Sequence, residues 1–211
     1  MQFDLFDTTE NKMLDAKSYT EFKQALASSN CDRCALAEGR RTIVVDRGNP
    51  NAKVVMIGEA PGDNEDRQGL AFVGRAGKLL DAMLQELGFD TNRDSLIINV
   101  VKCRPPENRA PKPEEVSACH PFLQKQLELV KPEIILLLGA TALKHVIQTK
   151  KDFAMGEEVG KFFKDAGFPE TEFMVLYHPA FILRDPRKKP LMRAHLKKFA
   201  AHWRSRLSAS T

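Results

Sequence analysis

The chain has 211 residues, 43% hydrophobic and 28% charged, with a formal net charge of +4 at pH 7 and a pI near 8.9. That length fits one compact domain over 1–211 with a sizeable core, a helical lead-in over 1–28 and a frayed tail from about 204. No apolar run reaches the roughly 20 residues of a membrane span, so no membrane association is expected, and the modest charge is by itself a weak argument for a polyanionic partner.

In chain order, the opening M-Q-F-D-L-F-D-T-T-E is acidic and lacks the apolar core of a secretory leader, so a reducing, cytoplasmic setting is expected. A helix over about 19–27 leads into C-D-R-C at 31–34, and R-T-I-V-V at 41–45 reads as an edge strand. K-V-V-M-I-G (53–58), S-L-I-I-N-V (95–100), E-I-I-L-L-L-G (133–139) and E-F-M-V-L-Y-H (172–178) are short, apolar and β-rich, as buried strands should be. Between the first two, Leu79, Leu80, Met83, Leu84 and Leu87 form a helical stripe closed by Gly88. A second helix opens with Pro113, Glu114 and Glu115 and runs to about Val130, a third spans roughly 141–147, and the basic C-terminal segment forms the last. The alternation specifies an α/β fold, a three-layer α/β/α sandwich around a short, mostly parallel four-stranded sheet. In such sheets ligands bind at the carboxyl ends of the strands, where G-E-A-P-G, Asn99, Gly139 and His178 all fall.

Cys31, Cys34, Cys103 and Cys119 are the four cysteines of the chain. Two disulfides are the plain alternative, but a chain of this length needs no such staples, and the two-residue spacer of C-D-R-C lets both sulfurs reach one ion. All-sulfur ligation suits zinc or an iron–sulfur cluster. A zinc ribbon would more often repeat the C-x-x-C knuckle, and its single occurrence here tilts the choice toward iron.

Residues 58–77, G-E-A-P-G-D-N-E-D-R-Q-G-L-A-F-V-G-R-A-G, form a Gly-rich loop that matches neither the P-loop nor the dinucleotide fingerprint. Its exposed amides suit a phosphate or a polar base. Together with I-N-V-V-K-C-R-P-P-E-N-R-A-P at 98–111 and Y-H-P-A-F-I-L-R-D-P at 177–186, the chain closely resembles the family 4 uracil-DNA glycosylases over about 31–203. The resemblance implies a [4Fe-4S] cluster on the four cysteines and a monofunctional repair enzyme. Such an enzyme flips uracil out of single- or double-stranded DNA and hydrolyses its N-glycosidic bond, leaving an abasic site. It also implies a prokaryotic, nucleoid-associated monomer, with a sliding clamp left open as a partner.

The residue types support that chemistry. Phe72 offers an aromatic face for a flipped base, against the alternative of a core phenylalanine. Asn99 can accept from uracil N3–H and donate to O4, against that of a strand-end asparagine capping a turn. His178 can donate toward O2 as negative charge develops on the leaving base, against that of a structural histidine. By resemblance, Glu59 positions water or the sugar, Ala60 lines the pocket through its backbone, and Glu65 sits near C5 and hinders a thymine methyl. Catalysis thus falls to His178, Glu59 and Asn99. Ala60 stands where the best-known branch of the superfamily carries a water-activating aspartate, so the mechanism leans on stabilising a dissociative transition state. In F-I-L-R-D-P, Ile182 and Leu183 are candidate wedges for the gap left by an extruded base, and Arg184, Arg187, Lys188 and Lys189 for phosphates. The alanine of H-P-A removes a hydroxyl present in the family's H-P-S, which lowers the expected DNA affinity. An iron–sulfur electron carrier and a non-catalytic uracil-DNA binding module are the rival readings.

Overall fold

The computed structural model describes residues 12–147, 149 and 152–209. Its centre is built from runs too apolar to sit anywhere but between two layers. Strands β2 (Val54–Gly58), β3 (Ser95–Asn99) and β4 (Ile134–Leu138) are buried at every position, and the last four residues of β6 (Phe168–Leu176) are buried as well. These four strands are parallel, in the order β3-β2-β4-β6. Successive residues point to opposite faces. Val55, Ile57, Leu96, Ile98, Ile135 and Leu137 therefore enter one core, and Val54, Met56, Ile97, Ile134, Leu136 and Leu138 the other.

Helices cover both faces. On the first lie α1 (Tyr19–Ala27), whose Ser18 and Glu21 form a reciprocal capping box, and α5 (Pro113–Val130), which starts on a proline suited to that position. On the second lie α4 (Arg75–Gln85) and the long C-terminal helix α9 (Lys189–Ala209). Shorter helices α2 (Leu36–Gly39), α3 (Asp63–Gln68), α6 (Ala140–Val146), α7 (Met155–Glu158) and α8 (Pro179–Arg184) occupy the connections. Among the described residues no helix is long and apolar enough to cross a membrane.

The sheet has six strands where four were expected. Two antiparallel edge strands, β1 (Arg47–Gly48) and β5 (Phe162–Asp165), flank the parallel four. Residues 41–45 are not the edge strand that their composition suggests. Ile43, Val44 and Val45 are buried, but the amides of Arg41 and Thr42 donate to the Asp66 carboxylate, and that of Val44 to the Lys102 carbonyl. With three of its amides taken by the Asp66 side chain and the Lys102 carbonyl, the segment joins no ladder, and pairing begins only at Arg47. Strand β6 starts at Phe168 rather than 172 because it pairs with β5 in a hairpin whose exposed end tolerates Glu170. The C-terminal segment expected to fray from about 204 is helical to Ala209. There Arg204 donates to the Leu87 carbonyl (3.0 Å), and Arg206 and His202 both meet Glu172.

One buried polar network ties the layers together. The Asp46 carboxylate, 1% exposed, accepts from the Tyr19 hydroxyl (2.9 Å) and the Lys23 ammonium (2.7 Å), while Gln126 donates to Tyr19 (2.9 Å) and to the Val45 carbonyl (3.1 Å). The Asp46 carbonyl in turn accepts from the Ala71 amide at 3.2 Å, directly before Phe72. Asp46→Ala leaves the buried Tyr19 hydroxyl without this acceptor and should lower the unfolding free energy by about 1–3 kcal/mol in urea denaturation. An unchanged midpoint would make the network peripheral.

Candidate active site

The carboxyl ends of the parallel strands open into one crevice of about 350 Å³. This volume is within the range of small-ligand sites. Glu59, Ala60, Glu65, Phe72, Asn99, His178 and Arg184 all line it, so residues spread over more than half the chain converge there.

Phe72 is placed by glycines. It has φ 56°, a left-handed conformation uncommon for a non-glycine residue, and is 5% exposed. A Cβ at Gly77 would lie 1.7 Å from the Phe72 carbonyl oxygen, and one at Gly58 would lie 2.4 Å from the Phe72 ring and 2.6 Å from the Asn99 side-chain oxygen. Only glycine at both positions allows the ring this close to the strand ends. Its centroid is 5.6 Å from that of His178, tilted by 44°.

Asn99 ends β3 with its side chain in the crevice and 1% exposed. Neither Oδ1 nor Nδ2 has a hydrogen-bond partner among the described residues, which rules out the turn-capping alternative. Buried polar groups are nearly always bonded, so an amide in this state is matched to something that enters the crevice.

His178 precedes α8 and caps it. Its Nδ1 accepts from the Ala180 amide at 3.2 Å, so in the neutral ring the proton sits on Nε2. Burial, with the Arg184 charge second, pushes its pKa down to about 4. At neutral pH the residue is therefore an uncharged donor.

Glu59 follows β2, and its carboxylate accepts from the Thr141 hydroxyl at the start of α6. Glu65, on α3, accepts from the Gly74 amide at 2.7 Å and so cinches the loop that carries Phe72. Sequence reasoning missed Thr141 and also residues 105–109, which form a wall of the crevice through Pro105, Asn108 and Arg109. Glu107 and Asn108 both have φ 55°, and Arg104 braces the turn by donating to Asn108 (2.9 Å) and Asp63 (2.6 Å). Arg109 forms two bonds to Glu115, at 2.8 and 2.6 Å. The P-P-E-N-R string was the available signal, since two prolines and an asparagine between strand and helix mark a fixed turn.

One candidate wedge is corrected. Ile182 is 2% exposed because α8 buries Pro179 and Ile182, three residues apart on one face, in the core beneath it. Leu183 remains half-buried and Arg184 exposed on the crevice rim. Beyond them Arg187 is held by Asp185 (2.7 Å), and Lys188 and Lys189 are half-buried.

Cys31, Cys34, Cys103 and Cys119 line one small cavity together with Arg40, Lys102 and Phe122, and none is in a disulfide. The Arg40 guanidinium lies 3.7 Å from the Cys103 sulfur. Burial pushes the Cys103 thiol up to about 12 and that of Cys119 to about 11. Among the described residues no three Cys, His, Asp or Glu side chains meet at a point that would hold a single ion. The thiols ring the cavity instead.

The family model described as the uracil DNA glycosylase superfamily matches residues 45–204. A type-4 uracil-DNA glycosylase from Thermotoga maritima is 42% identical over 155 residues, 74% of this chain and 79% of that protein. One from Sulfurisphaera tokodaii is 39% identical over 178 residues, 80% of this chain and 78% of that protein. A third, from Pyrobaculum aerophilum, is 40% identical over 173 residues, covering 80% and 85%.

A pH titration of ¹⁵N-labelled imidazoles should find His178 neutral, with its proton on Nε2, down to about pH 5 and titrating near 4. Because the folded pKa lies below the ordinary 6.5, its contribution to stability is complete above pH 6.5 and is lost as the pH falls toward 4. Titration at the ordinary value would remove the buried neutral donor.

Proposed function

The chain belongs to the uracil DNA glycosylase superfamily, and from that membership and its crevice we propose a monofunctional type-4 uracil-DNA glycosylase that hydrolyses the N-glycosidic bond of flipped uracil. The observation that carries this reading is the buried, unbonded amide of Asn99 beside Phe72 and His178. Uracil presents a donor at N3 and an acceptor at O4, and one amide offers the complementary pair, whereas unprotonated cytosine presents the reverse. An electron carrier would have no use for such a group.

In this reading the base leaves the stack, enters the crevice and packs on Phe72. As the sugar–base bond breaks, the bonding electron pair moves onto the uracil ring, and the Nε2–H of His178 donates toward O2. A neutral donor already aimed by the Ala180 amide needs no reorganisation at that moment, which is where such groups act most strongly. Glu59, steadied by Thr141, sets a negative charge near the developing cationic sugar and holds the water that captures it. Ala60 brings no carboxylate, so bond breaking leads and water attack follows. Glu65, already engaged with Gly74, closes the crevice near C5. Phosphates meet Arg184, Lys188 and Lys189 on the rim, with Leu183 as the remaining apolar wedge. Arg187 contributes less because Asp185 competes for it.

The four thiols fit a [4Fe-4S] cluster. They surround a cavity rather than a point, and Arg40 already faces the Cys103 sulfur. When bound, such a cluster supplies metal–thiolate bonds that cross-link the C-D-R-C loop to Cys103 and to α5.

Incubation with uracil-containing single- and double-stranded oligonucleotides, followed by alkaline scission, should cut the strand at uracil; intact strands would overturn the assignment. His178→Ala should lower single-turnover excision by about 10²–10³-fold while uracil-DNA affinity changes little. Excision at the parent's rate would return His178 to a structural role. Anaerobically purified protein should be brown, with about four irons per chain by metal analysis. Stoichiometric zinc in colourless protein would contradict this.

A further inference from the structure

Only Val100, Val101 and Lys102 separate Asn99 from Cys103, and the chain between them joins the crevice to the thiol cavity. Lys102 is 1% exposed, and its side chain turns back along the chain so that Nζ donates to the Asn99 carbonyl at 2.5 Å. Its backbone faces the other way. The carbonyl accepts from Val44 at 2.8 Å, and the next residue in the chain is Cys103, which lines the thiol cavity together with Lys102 itself. An ammonium in a core is costly to bury, and packing alone would be served better by an apolar residue of the same length. The Asn99 side chain has no partner of its own among the described residues, so its position is inherited from the Asn99 backbone.

We propose that Lys102 is a positioning residue that couples the four-thiol centre to base recognition by holding the Asn99 carbonyl, and through it the amide that reads uracil. The proposal rests on the glycosylase reading above and gives the thiol centre a role in specificity as well as in folding. Ordering the thiols fixes the Lys102 backbone, the backbone fixes where its side chain can reach, and the side chain fixes the end of β3.

The test is Lys102→Met in the full chain, purified anaerobically beside the parent, with four readouts. These are inhibition by free uracil, single-turnover excision, affinity for uracil-free DNA and visible absorption per chain. The uracil inhibition constant should rise about tenfold and excision should fall about tenfold to a hundredfold, the scale expected when a reacting group is misplaced by a fraction of an ångström to an ångström. Absorption per chain and affinity for uracil-free DNA should match the parent. Parental uracil inhibition in a less heat-stable variant would make Lys102 structural only, and loss of absorption in step with loss of excision would make it a support of the thiol centre alone; either overturns the proposal. Should the methionine variant be insoluble, Lys102→Gln, one atom too short for the span, is measured in the same four ways, with the same outcomes supporting or overturning the proposal. Failure of the glycosylase reading shows differently, as a parent that neither cuts uracil-DNA nor responds to uracil.

Discussion

A side-chain amide that is 99% removed from solvent, with neither polar atom bonded by its neighbours, is the constraint around which the crevice is arranged. Leaving a single such atom unpaired costs about 1–3 kcal/mol. A fold keeps that cost where the group has work to do with a ligand, and the surroundings of Asn99 are consistent with that. Gly58 withholds a side chain so that the Phe72 ring and the amide can both occupy the floor, Gly77 leaves room for the Phe72 backbone, and Phe72 itself accepts a left-handed conformation. Several local preferences are set aside at one place.

The remaining groups divide the electrical work by their charge state. His178 is kept neutral by burial and aimed by a backbone amide, so it can give a hydrogen bond without bringing a full charge beside the base. Glu59 brings a carboxylate to the same crevice, where the Thr141 hydroxyl limits its motion. Exposed positive charge stands on the rim at Arg184, whereas Arg109 in the wall is paired with Glu115. Long-range contacts hold this arrangement. Thr141 and Glu59 are 82 residues apart, and the Asp46 network reaches from α1 to the residue before Phe72.

The parallel core was legible in the sequence because strands buried on both faces must be apolar throughout, and β2, β3 and β4 are. Edge structure was less so. Arg47–Gly48 carries no pattern at all, and residues 41–45 look like a strand although Asp66 takes the amides of Arg41 and Thr42 and Lys102 that of Val44. The same distinction applies to the site. Asn99 and His178 stood out because they are polar residues at the ends of apolar runs, and the four cysteines because few residue types announce their chemistry so plainly. Thr141 and Lys102 are ordinary residues in their own segments and acquire meaning only from contacts made in the folded chain. Ile182 was misplaced for the converse reason: its composition suits a wedge, but a six-residue helix has just enough length to turn it inward.

The claim that Asn99 reads the base is tested most directly by Asn99→Asp, assayed for excision of uracil and of cytosine from otherwise identical oligonucleotides. An ionised carboxylate still accepts from N3–H, but it cannot donate to O4 and it repels the leaving anion. It also accepts from the cytosine amino group. Uracil excision should therefore fall sharply while the preference for uracil over cytosine narrows. A variant that removes uracil at the parent's rate, with the parent's preference, would contradict the account.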